Sequence, residues 1–114
     1  MNKTTVFDLS NELSNISFVD MTIAQITKDF SRISVLFDFV RTGEKDVKPQ
    51  IISQIEYAIE NLNAAQLQQF IYLIDLNEVD FISTKKNVNS HKILAEKILE
   101  REAYKVFLRM YFAS

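Results

Sequence analysis

From Val19 onward the large apolar residues fall at Val19, Ile23, Ile26, Phe30, Ile33, Phe37 and Val40. Steps alternating between four and three hold such a stripe on one side of an α-helix, so the spacing predicts one long amphipathic helix of three heptads. Asp20 or Thr22 can cap its start, and Gly43 stands just past Arg41, where a left-handed terminator is wanted. A repeat this regular also suits an intermolecular coiled coil. Phe30 and Phe37, however, share a core position at which dimeric zippers prefer smaller β-branched residues, and few charges flank the stripe. An intramolecular bundle is the expectation.

The charged connector "GEKDVK" leads from Gly43 to Pro49, whose missing N–H is harmless in the first turn of the next helix. Ile51, Ile52, Ile55, Ala58, Ile59 and Leu62 give that helix its apolar face. Asn63 and Gln66 stand in the capping-box relation, which starts a new helix at Ala64 with the stripe Leu67, Phe70, Ile71 and Ile74. From Leu76 to Asn89 the helical period is lost, and connections of this length are often functional. Phe81 and Ile82 within it are expected to tuck against the bundle. Ser90 or Asn89 then caps a final helix running from His91 to about Phe112, and Val6, Leu9, Leu13 and Ile16 suggest a short helix at the start. The fold class is therefore all-α, a compact bundle of four main helices plus a short N-terminal one, in a single domain spanning residues 1–114.

Composition agrees and narrows the chemistry. One glycine and one proline in 114 residues leave no material for hairpins, phosphate-cradling loops or a dinucleotide fingerprint. The absence of cysteine removes disulfides, thiolate metal sites and a cysteine nucleophile. No stretch approaches the roughly 18 unbroken apolar residues of a membrane span, and the start of the chain lacks the apolar core of a signal peptide. A soluble, cytoplasmic protein without a cofactor is expected.

The last helix carries the functional expectation. Ala95, Leu99, Ala103, Val106, Phe107 and Met110 form its core face, while Ile93, Tyr104, Leu108 and Tyr111 lie well round the cylinder. Lys97, Arg101, Lys105 and Arg109 follow one another at i, i+4 in the polar strip that remains, with Glu102 beside them. Residues 85–114 hold seven basic and three acidic residues, a net +4, whereas residues 1–84 hold six and twelve, a net −6. One reading is a central helix with a cationic edge that the acidic remainder of the fold attracts. The other is a docking face built from Lys97, Arg101, Tyr104, Lys105, Leu108, Arg109, Tyr111 and Phe112, because aromatics and arginine dominate protein interfaces. The partner would be another protein or a second copy of the chain, with Asp75, Glu78, Asp80 and Phe81 of the long connection as a second candidate contact.

Other chemistries fare worse. Asp75 to Asp80 begins like a calcium loop, but Asp80 stands where glycine is needed and Lys86 where glutamate is. His91, the single histidine, has no evident orienting partner, and Glu96 with Glu100 is an ordinary solvated helix pair, so no metal site and no enzyme is expected. Nucleic acid is the alternative partner, reached through the basic column, and the overall net charge of −2 argues against it.

Overall fold

A computed structural model describes residues 6–43, 46–77 and 90–112. The elements in order are α1 (Leu9–Glu12), α2 (Ile16–Ser31), α3 (Val47–Glu60), α4 (Ala64–Leu73) and α5 (Ser90–Phe112), with no strand among the described residues. The protein is all-α, with four main helices and a one-turn helix before them. α5 lies at the centre, packed along α3 and α2 and touching α1, while α2 also meets α4.

Each of α1 to α4 begins where a polar side chain replaces a missing backbone acceptor. Asp8 caps α1 and Asp46 caps α3, and at α4 Asn63 and Gln66 complete a reciprocal capping box. At α2 the cap is Asn15, whose Oδ1 accepts from Ser17 N at 2.9 Å and Phe18 N at 3.3 Å. The helix thus opens before Asp20 and Thr22, the expected caps, and Ile16 belongs to it instead of to the short first helix.

The larger correction lies at its other end. α2 stops at Ser31, not beyond Val40, because Ser34 turns left-handed with φ 62°. Ser34 N–H donates to Ser31 O at 3.0 Å and Val35 N–H to Phe30 O at 3.0 Å, the paired bonds of a Schellman stop. α4 ends identically: Asp75 has φ 61°, and Asp75 N–H and Leu76 N–H donate to Tyr72 O and Ile71 O, both at 3.1 Å. Gly43, the expected terminator, has no positive φ. In a chain this poor in glycine, two short polar residues occupy the left-handed positions.

Beyond Ser34 the chain runs extended. Val35, Phe37 and Phe39 turn toward the core while Leu36, Asp38 and Val40 face outward, a period of two instead of 3.6. Its main chain is held by glutamines of α3. Gln54 accepts from Val40 N–H at 2.8 Å and donates to Val40 O at 2.6 Å, and Gln50 accepts from Thr42 N–H at 2.9 Å.

Phenylalanine fills the interior. Phe37 stacks on Phe30 at 5.2 Å and Phe30 on Phe70 at 4.1 Å, joining the extended segment, α2 and α4. All three rings are buried, each contributing about 1.5–3 kcal/mol by leaving water. The four tyrosines, Tyr57, Tyr72, Tyr104 and Tyr111, stand at the surface instead.

An L-residue held left-handed costs about 1–2 kcal/mol, partly offset by the unfolded-state entropy glycine adds. Ser34→Gly should therefore raise unfolding free energy by about 0.5–1 kcal/mol in urea titrations, and Ser34→Val should lower it. Gly43→Ala, with open space where a side-chain carbon would stand and no left-handed φ, should stay within about 0.5 kcal/mol of the parent.

Candidate interaction face on the last helix

α5 departs from simple amphipathicity in two ways. Its buried face comprises Leu94, Ala95, Ile98, Leu99, Glu102, Ala103, Val106 and Phe107, so an acidic residue sits in the apolar stripe. Met110, expected in the core, is 41% exposed. On the outer side Tyr104, Leu108, Tyr111 and Phe112 remain exposed, from 36% at Leu108 to 62% at Phe112. Phe7 lies edge-on to Tyr104 at 5.4 Å and to Phe107 at 5.2 Å, extending this apolar end across the N-terminal segment.

The basic residues turn inward. Lys105 Nζ lies 2.7 Å from Asp29 Oδ2 on α2 and 2.5 Å from Glu102 Oε1 on its own helix, and only the first contact has hydrogen-bond alignment. Gln25 donates to Asp29 Oδ2 at 3.0 Å and in turn accepts from Arg109 Nη1, while Arg32 stands 4.0 Å from Asp29 Oδ1. Arg101 donates through Nε to Ile74 O at 2.9 Å and reaches Asp75 Oδ2 at 3.4 Å, so it answers one carbonyl and one carboxylate at the end of α4. Lys97 has a partner as well. The column expected to greet a docking protein is therefore engaged within the fold, as the charge imbalance along the sequence allowed.

Asp29 and Glu102 are both wholly buried, 1% and 0% exposed. Burial pushes Glu102 upward, the nearby Asp29 pushes it further, and Lys105 opposes both, leaving it at about 8. Burial also acts to raise Asp29, but its bonds with Glu102, Lys105 and Gln25 together outweigh that, and its pKa ends below the usual value. Neither Glu102 oxygen has an aligned hydrogen-bond donor among the described residues, although the Lys105 ammonium stands beside Oε1. Protonation turns one of them into an O–H donor beside Asp29, so one proton and one ammonium serve two carboxyls.

Asp75, Lys97, Arg101 and Tyr104 line one shallow cleft of about 280 Å³ together with Phe7 and Glu100. The structure thus gathers Asp75 with part of the basic column, and places Leu108, Tyr111 and Phe112 beyond it toward the end of α5. Glu78, Asp80 and Phe81 lie outside the described residues. No cluster of three or more metal-ligating side chains occurs among the described residues.

The residues missed in the sequence are Asp29 and Glu102, and their signal was positional. Asp29 lies seven after Thr22 and three after Ile26, within the stripe of α2, and Glu102 lies between Ile98 and Val106 in that of α5. A charge at a core position on each of two helices invites pairing. Comparison with protein-family models, with curated proteins and with solved structures finds no match to this chain.

Glu102, raised in the folded state, contributes stability that is full below about pH 4.5 and is lost as pH climbs toward about 8. Between those limits wild-type stability should fall with rising pH by at most about 1.4 kcal/mol per unit from this group. Glu102→Gln should abolish that slope and be the more stable protein at pH 8, as measured by urea unfolding across the range. Asp29 acts oppositely, its stabilisation disappearing as pH drops below about 3.8. Thr22 Oγ1 is buried without a hydrogen-bond partner among the described residues, so Thr22→Val should stabilise by about 1 kcal/mol in the same assay.

Proposed function

We propose that the chain is a protein-binding module that works through the apolar end of its last helix, self-association being the form that needs no second component. The observation that carries the reading is the continuous exposed group Tyr104, Leu108, Tyr111 and Phe112, four large apolar side chains within about a quarter-turn of the helix wheel. Single exposed apolar residues are ordinary on a protein surface, whereas a contiguous aromatic group marks contact sites. Fully buried aromatic side chains contribute about 150–250 Å² each, so the exposed fractions of three rings offer roughly 300 Å² before Leu108 is added. A stable interface takes about 800 Å² from each partner, which suits a weak or transient contact.

The inward pairing of Lys105 and Arg101 changes the character of the partner. A surface whose cations are engaged internally favours apolar contact over an acidic ligand. It also weighs against the nucleic-acid alternative, since phosphate binding draws on unengaged lysine and arginine. No helix among the described residues is long and apolar enough to cross a membrane.

Sedimentation across a concentration series tests the reading. The parent chain should shift from monomer toward dimer in the micromolar to millimolar range, and Leu108→Asp combined with Tyr111→Asp should remain monomeric with an unchanged Tm. A parent that stays monomeric throughout removes the self-association form.

A further inference from the structure

The glutamines of α3 read the extended segment as a neighbouring strand would. Gln54 exchanges both bonds with Val40, N–H and C=O, which is how a hydrogen-bonded pair of strand residues meets. Gln50 takes the N–H of Thr42, two residues on. The two spacings match physically, because two residues of extended chain and four of helix both advance about 6–7 Å. Segment and helix run in opposite directions, so the next rung would pair Asp38 with position 58.

Position 58 is alanine, which has no side-chain amide, and the ladder stops there. A cleft of about 390 Å³ opens at this point, between Leu36 and Asp38 on one wall and Gln54, Tyr57, Ala58 and Asn61 on the other. Alternate residues of extended backbone point their N–H and C=O to the same side, so those of Asp38 and Leu36 face the way Val40's do. Among the described residues these groups have no hydrogen-bond partner. Leu36 and Tyr57, 86% and 73% exposed, stand at the rims as apolar contacts.

We propose that this cleft binds an extended basic peptide from another protein, which adds to the Leu36–Asp38 edge as a short strand and completes the ladder that Gln50 and Gln54 begin. Strand addition supplies main-chain bonds, and alternate side chains supply selectivity. Charge chooses the occupant: Asp38 is the single charged residue lining the cleft among the described residues, and no partner engages it there. A peptide bearing lysine or arginine answers it. A second copy pairing through the same edge would bring Asp38 near Asp38, which like-charge repulsion opposes. The site is separate from the apolar end of α5.

The test uses the full chain and a displayed library of random heptapeptides, panned on the parent and counter-panned on Ala58→Gln. Glutamine at 58 would supply the missing rung from within and plug the cleft. Enriched peptides should carry Lys or Arg. On titration they should shift and protect from hydrogen exchange the amides of Leu36 and Asp38, leaving those of Leu108 and Tyr111 unmoved. Affinity should fall at least about tenfold in Ala58→Gln and about threefold in Asp38→Asn, the losses expected for main-chain bonds and one exposed charge contact. N-methylation of the peptide's pairing residues, which leaves the protein untouched, should also abolish binding and covers the case in which the variant folds poorly. No enrichment over the counter-panned background, equal binding by Ala58→Gln in its folded form, indifference to N-methylation, or shifts confined to α5 would each overturn the proposal. So would dimerisation of the parent that is lost in Ala58→Gln.

Discussion

The contact between Lys105 on α5 and Asp29 on α2 joins residues 76 positions apart and fixes how the central helix lies in the bundle. Apolar helix faces tolerate sliding and rotation, since one leucine is much like the next. A buried charge does not, because leaving it without a partner costs several kcal/mol. The bonds that link Lys105 to Asp29, Asp29 to Gln25 and Gln25 to Arg109, with Glu102 beside Lys105, depend on this register of α5 against α2. Specificity of register is the role best attested for such groups, and it comes at the cost of holding Glu102 protonated near neutrality.

That inward commitment also shapes the outside of the molecule. Because Lys105 reaches into the bundle and Arg101 to the end of α4, the outer side of α5 is left with tyrosine, leucine and phenylalanine and little charge to guard them. The same helix thus has an acid on its buried face and apolar residues on its free one. Its weak amphipathicity in the sequence is the sum of these two exceptions.

Much of the fold was legible. The capping box at Asn63 and Gln66, the Pro49 helix, the corner before Ala64 and the long final helix all follow from local chemistry that tertiary structure did not override. The third heptad of the first long stripe misled, because Ile33 and Phe37 suit both a period of 3.6 and the extended run "SVLFDFV", rich in β-branched and aromatic residues. Both are buried, as the stripe required, but Phe37 arrives by a different backbone route. What decided the route was a left-handed Ser34, a conformation serine adopts only when surrounding bonds hold it. The inward direction of the basic column was illegible for a related reason: helical spacing tells which residues share a side and not how far a lysine can reach around it.

Among the described residues most phenylalanines are buried, Phe112 being the exposed one, while all four tyrosines stand at the surface and the chain has no tryptophan. The chain's ultraviolet emission therefore arises from its rim. Two of those emitters, Tyr104 and Tyr111, lie against the buried Phe107 ring, so their emission reports both what touches that end of α5 and the loosening of the core beneath it, whereas far-ultraviolet dichroism follows the helices alone.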